Sequence, residues 1–298
     1  MFPLRLFRGE NKIYETCKAS IYRSGNSDDV ILDNLRIQEF KKIISIFPQV
    51  RYAIEDHMRI DYLALAQHYE LNTNLIDLTG AIEVAAYFAT QHWEKGIPLP
   101  VESGIGCIRG LSTIPMLMPD SQMFNPRFHM IGLQCFQRPG LQDAYGLEKS
   151  PDDDLNKTEW KIYFRQNAEA SQVIHQNFHI DEGKIEELGR KRINGPVRAD
   201  QVESTHGWLF PDEEIADVAK MVKYSNTICR DVVDEYGCED VLQRKGIQIT
   251  DRPVFTLSEG RRKELEDEYK GRPYGNVELK ARLCYKPMNC PAPMAFGK

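Results

Sequence analysis

The chain reads as an α+β protein: a small mixed or antiparallel sheet flanked by helices, with a C-terminal appendage. Three observations predict this class. Apolar residues recur at helical spacing over Asp28–Ile46 and again from about Glu213 to Asn226. Short apolar runs that end in glycine or in polar turns, such as Phe2–Gly9 and Gly104–Leu111, read as strands. Between them, Ile60–Gln91 compresses a helix, a short strand, a polar turn and a buried helix into one supersecondary unit.

In chain order, Phe2, Leu4 and Leu6 alternate with Arg5 and Arg8, giving a strand that ends at Gly9 and leaves Arg8 where strand meets turn. Alone, such an arginine is most simply a surface residue. Arg23 ends the similar run Ala19–Tyr22. The helix over Asp28–Ile46 carries Leu35, Phe40, Ile43 and Ile44, and Pro48 ends it. In the central unit the helical run Tyr62–Ala66 leads into Gln67, His68 and Tyr69, and Asn72–Thr73–Asn74 breaks it. Leu75–Ile76 then starts a strand that ends in Asp77, Leu78 and Thr79, and Gly80 opens a helix holding Val84, Ala85, Tyr87 and Phe88. The polar side chains at these joints are the best site candidates. Farther on, Ser112–Gly146 contains Pro115, Pro119, Pro126 and Pro139 and reads as an irregular segment suited to a lid or binding loop. Trp160–Phe164 is a strand, Gln172–Gln176 and Ile185–Arg192 are short helices, and Ser204–Asp212 turns into a helix with Ile215, Val218, Ala219 and Val222 facing the core. Residues 1–224 thus form one domain. Residues 225–298 form a partly helical extension with a charged run and a tail expected to be disordered.

With 298 residues, 42% of them hydrophobic and 28% charged, the chain has the composition of an ordinary soluble globular protein. A net charge of −6 argues against a broad basic face for nucleic acid, although it leaves a local groove open. No apolar run nears the roughly 20 residues that span a bilayer, so no membrane association is expected and a cytoplasmic location is the default. The seven cysteines are dispersed, form no C-x-x-C pair and match no zinc module, so they are expected to be free thiols and no metal is expected. Phosphate-loop, dinucleotide-fold, zinc-protease and serine-hydrolase motifs are missing from the sequence.

Five ordered motifs carry a family resemblance. They are Phe7-Arg8-Gly9; Ser20-Ile21-Tyr22-Arg23; Ala66-Gln67-His68-Tyr69 with Thr73, Leu75–Thr79 and Ala85–Ala89; Arg138 to Gln142; and Leu209-Phe210-Pro211-Asp212. Over about residues 3–223 the chain resembles the FRG-domain family. It departs from the family's usual pattern at Glu70 and Ala144, where glycine is usual, and at Asn72, Asn74 and Leu78, where proline, arginine and tryptophan are usual.

The motif order is in turn similar to that of ADP-ribosyltransferases. This resemblance implies an ADP-ribosyltransferase-like fold, with NAD as substrate. Arg8 would clamp the NAD phosphates, a bidentate task suited to a guanidinium. Thr79 would orient the nicotinamide ribose, and Tyr69 rather than Phe88 would stack on nicotinamide. Gln142 stands in the third motif where such enzymes carry a glutamate, with Asp143 and Glu148 near it, and Asp77 is an alternative carboxylate. Gly9, Arg23, Gln67, His68, Asp77 and Arg138 complete the expected nucleotide-binding set. The implied function is an effector of toxin or defence type, an NAD-dependent ADP-ribosyltransferase or NAD glycohydrolase, acting on a protein or nucleic-acid target, with an antitoxin or partner protein held by the C-terminal region. The alternatives are a non-catalytic nucleotide-binding module and a protein-interaction module.

Overall fold

The structure is a computed structural model that describes residues 4–94, 96–113, 128–131, 134–157, 160–178, 209–210 and 213–270. The chain opens with β1 (Arg5–Glu10) and a 3-10 turn at Ser20–Tyr22, followed by α1 (Ser27–Ser45) and α2 (Pro48–Glu55). Asn26 caps α1 through its side chain, which accepts from the Asp28 N–H at 2.8 Å, and Asp28 and Asp29 complement the positive end of the helix. Pro48 does not merely end α1. It opens α2 at the first helical position, where its missing N–H costs nothing. The central unit resolves into α3 (Tyr62–His68), β2 (Leu75–Thr79) and α4 (Ile82–Thr90), and a hairpin of β3 (Gln91–Glu94) and β4 (Ile97–Pro100) comes next.

β5 (Ile105–Ser112) agrees with the strand read from sequence. The segment expected to be irregular contains β6 (Phe128–Met130), the short helix α5 (Gln137–Leu141) and the start of β7 (Ala144–Glu148). Pro139 sits inside the first turn of α5, where it is tolerated. Beyond these lie β8 (Trp160–Arg165), α6 (Ala168–Phe178) and α7 (Glu214–Tyr224). The helix expected at 185–192 and the Pro211-Asp212 pair of the last motif lie outside the described residues, as does the tail after 270.

Six strands form a mostly antiparallel sheet in the order β6-β7-β2-β1-β5-β8, flanked by helices, so the fold is α+β. Its two halves are unequally joined. β1 pairs with β5 over six residues and β2 with β7 over five, but β1 and β2 share a single register, Phe7 opposite Thr79. That register sorts the side chains, because neighbours along a strand face opposite ways. Phe7, Gly9, Asp77 and Thr79 face the side covered by α3 and α4. Arg8 and Glu10 face the other side with Cys107 and Arg109, their partners across the β1–β5 pair. Gly9 is needed for packing: a Cβ there would overlap the Ala85 carbonyl oxygen of α4.

The main core lies between α1, α2, α3, α7 and the C-terminal region, with Phe40, Phe47, Val50, Leu65 and Val218 fully buried. Residues beyond 224 add β9 (Thr227–Cys229) and β10 (Gln248–Thr250), paired in parallel. They also add α8 (Arg230–Tyr236), α9 (Glu239–Lys245) and α10 (Glu259–Tyr269). No helix among the described residues is long and apolar enough to cross a membrane.

Candidate functional site

The motif residues of the central unit are joined by one chain of hydrogen bonds. Ser20 Oγ accepts from the Thr73 N–H at 3.0 Å and donates to the Thr73 carbonyl, which also takes the Ile21 N–H at 3.1 Å. Those bonds pull Ser20–Tyr22 into a 3-10 turn instead of a strand. The Thr73 hydroxyl accepts from the Leu75 N–H at 3.0 Å and donates to Gln67 Oε1. Gln67 Nε2 is therefore turned to donate to Asp77 Oδ2 at 2.7 Å. The polar break between α3 and β2 is thus fixed, and it sets the Asp77 carboxylate against the end of α3.

His68 lies behind that carboxylate and is 7% exposed. Its Nδ1 stands 3.1 Å from Gln142 Oε1, while Gln142 Nε2 donates to the Leu209 carbonyl at 3.0 Å. The amide orientation makes Nδ1 the protonated nitrogen of a neutral ring. Nε2 then faces Asp77 Oδ1 at 3.6 Å, and neither atom has a hydrogen-bond partner among the described residues. Burial pulls His68 below the ordinary histidine pKa, more strongly than nearby Asp77 and the Gln142 bond raise it, so the ring is neutral near pH 7.

These groups floor a cleft of about 730 Å³. One wall is aromatic: Phe88 of α4 stacks on Trp93 of β3 at 5.8 Å and 12°, and Phe210 meets both edge-on. Arg138 of α5 lies 4.8 Å from the Tyr69 ring and 5.2 Å from that of Phe210, and its Nη1 donates to the His68 carbonyl at 2.8 Å. Lys220, Lys223 and Tyr224 of α7 line the opposite rim. Tyr69 donates to the Glu213 carboxylate, which also accepts from the Gln137 N–H at 2.8 Å and so holds the start of α5. Burial, then the Glu213 charge, raises Tyr69 well above the ordinary tyrosine value, and it stays protonated. A cleft with aromatic faces, cations and a fixed carboxylate suits a planar ring system carrying negative charge.

The structure brings Gln67, His68, Tyr69, Asp77, Arg138 and Gln142 together along this cleft. It places four of the expected residues elsewhere. Arg8 faces the far side of the sheet, where its Nε bonds Glu10 at 3.3 Å and its Nη1 reaches around to the Asp77 carbonyl at 3.1 Å. Gly9 lies beneath α4. Arg23 is exposed and donates to the Lys18 carbonyl at 3.2 Å. Thr79 is buried, and its hydroxyl donates to the Gln142 carbonyl at 2.7 Å and accepts from the Ala81 N–H. None of the four lines the cleft. Conversely, Trp93, Glu213, Lys220 and Lys223 belong to the cleft region without having been legible in the sequence. The stripe Lys220, Lys223, Tyr224, opposite the buried stripe of α7, was the one available signal.

The described residues contain no cluster of histidine, cysteine and acidic side chains able to hold a metal ion. No curated protein and no solved structure matches the chain. Residues 4–96, which run from β1 through the central unit into the β3–β4 hairpin, match the family model of the FRG domain.

Proposed function

We propose that the cleft binds NAD and that the protein is an ADP-ribosyltransferase-like effector, of toxin or defence type, acting on a macromolecular target. The observation that carries this reading is the Asp77 carboxylate, held at the cleft floor with one oxygen lacking a partner among the described residues. Cleaving the nicotinamide–ribose bond builds positive charge on the ribose, and a fixed carboxylate beside it lowers that barrier. Arg138, Lys220 and Lys223 suit a diphosphate, and the Phe88–Trp93–Phe210 wall suits a base. In this reading Asp77 takes the role of the missing third-motif glutamate, and Arg138 rather than Arg8 meets the phosphates.

A second reading, nucleotide binding without turnover, is favoured by one observation: the Arg8 and Thr79 side chains are already engaged away from the cleft. One experiment separates the two. Wild-type protein and Arg138→Ala are incubated with NAD labelled on the adenylate moiety, with and without cell extract. Melting temperature, free nicotinamide and label transfer are then measured. Turnover with transfer supports the enzyme, whereas a raised melting temperature with intact NAD supports the binding module. Arg138→Ala should weaken NAD binding about 10- to 100-fold, the effect of losing a charged hydrogen bond. No thermal shift and no nicotinamide would exclude both readings.

A further inference from the structure

We infer that Asp77 and His68 form a proton-accepting pair, which fits the site to transfer onto an acceptor that gives up a proton, with water and an alcohol as the simplest cases. The inference rests on the NAD reading above and adds the acceptor chemistry to it.

The geometry leaves one proton position vacant. Gln142 is oriented by the Leu209 carbonyl and so assigns the His68 proton to Nδ1. Gln67 is oriented by Thr73 and so donates to Asp77 Oδ2. The lone pairs left over, on His68 Nε2 and Asp77 Oδ1, face one another at 3.6 Å. Two acceptors in contact inside a protein, with no donor between them, are unfavourable until a proton arrives. Asp77 Oδ1 and His68 Nε2 are themselves shut off from solvent. The Asp77 side chain as a whole is nevertheless 40% exposed at the cleft floor, against 3% for His68. The acceptor's proton therefore meets the Asp77 carboxylate from the cleft, and His68 backs that carboxylate from behind. Asp77 is then the catalytic residue and His68 a positioning residue. The other charges facing the pair are Arg138 of α5 and Asp61 at the start of α3 beside His68, and Arg8 of β1 beside Asp77.

Atoms and charge balance in this step. The acceptor oxygen forms a bond to the ribose C1′ as the C1′–nitrogen bond to nicotinamide breaks. Nicotinamide leaves neutral with the electron pair, and the acceptor's proton passes to the pair. An acceptor with no proton to lose would have no use for the arrangement.

The full chain is assayed for nicotinamide release between about pH 5 and 9, as wild type, His68→Gln and Asp77→Asn. The wild-type rate should fall on the acid side as the vacant position fills. His68→Gln should lose that limb at an unchanged KM for NAD, and Asp77→Asn should lose most of kcat. In water the product should be ADP-ribose, and methanol, used as a model alcohol, should divert part of it to the methyl glycoside. An equal loss for His68→Gln at every pH, or nicotinamide release with neither product, overturns the inference. Nitrogen NMR of the histidines, with His68→Gln giving the assignment, provides a readout that needs no turnover. A neutral, Nδ1-protonated His68 at pH 7 is expected, and an Nε2-protonated ring overturns the pair. Wild-type protein that releases no nicotinamide while showing the expected tautomer sinks the NAD reading and leaves the proton site standing.

Discussion

Glu10 carries much of what a single residue can do in this fold. It is 5% exposed, and its carboxylate takes the Arg109 Nε and Nη2 at 2.9 and 2.8 Å, the Arg8 Nε at 3.3 Å and the Cys17 thiol at 2.9 Å. Burial alone would raise its pKa, but the Arg109 hydrogen bond and the Arg8 charge outweigh burial and hold it below the ordinary value of 4.5. Removing the charge by Glu10→Gln leaves Arg109, 1% exposed, without its counter-ion, and should cost about 3–5 kcal/mol in urea unfolding at pH 7. Because the folded pKa is depressed, this stabilisation is complete above the unfolded value and lost as pH falls through the folded one. The gap between wild type and variant should therefore narrow in acid. The FRG arginine belongs to the same buried cluster, which no local pattern could reveal: Arg109 lies across the sheet on β5. Glu70 teaches the converse. It holds φ at +71°, a left-handed conformation that glycine adopts freely, and the family's usual glycine at this position has that physical reason. The family's glycine thus marks the backbone turn after His68-Tyr69, although the residue that makes it here is an unfavourable one.

Single elements were legible where local chemistry fixes them. The stripes of α1 and α7 report burial directly. Elements fixed by distant partners were not. Ser20–Tyr22 reads as extended until Thr73 is placed beside it, and β6 and β7 gain their pairing from β2. β6 also has an ionic attachment. His129 Nδ1 bonds Asp61 Oδ2 at 2.5 Å and Nε2 bonds Glu148 Oε1 at 2.9 Å, tying the strand to α3 and to β7. Burial pulls His129 down, but Asp61 and then Glu148 outweigh it, and its pKa lies above the ordinary 6.5. A raised folded value stabilises fully below the unfolded pKa and is lost as pH rises through the folded one. Wild type should therefore lose stability from about pH 6.5 upward relative to His129→Gln, the two converging in alkaline solution. Melting curves across that range would show it. A constant difference at all pH values would mean that His129 is neutral in the fold.

At the scale of the whole molecule, the cleft gathers α3, β2 and α4 from one stretch of about thirty residues and closes them with α5, Phe210 and α7 from more than forty residues away. The first group was legible because its polar joints are adjacent in sequence. The second was not, because helical periodicity reports only the buried face of α7 and says nothing of what its exposed face meets. The residues after 224 raise the same issue. Expected as an appendage, those described pack against the helices that support the site. Glu39 of α1, 1% exposed, accepts the N–H groups of Cys229 and Val254 at 3.3 and 3.1 Å, while Arg244 and Lys245 pair with Asp28 and Asp29 at the start of α1. Ile228, Val232 and Leu242 bury Leu32 and Leu35, and Leu257 and Leu265 join the main core beside Phe47 and Val50. Burying these five side chains at about 1.5–3 kcal/mol each gives roughly 10 kcal/mol, comparable to the total stability of a typical domain. A chain cut after residue 224 should therefore aggregate or melt without a cooperative transition. One cut after residue 270 keeps every described contact and should melt within a few degrees of the full protein. Calorimetry of the two truncations decides this, and a cooperative, unchanged melt for the shorter one would refute it. The outcome also determines how a partner can be sought. A loss of binding on deleting 225–298 would report only a collapsed core, whereas the same loss on deleting 271–298 would locate the contact in the tail.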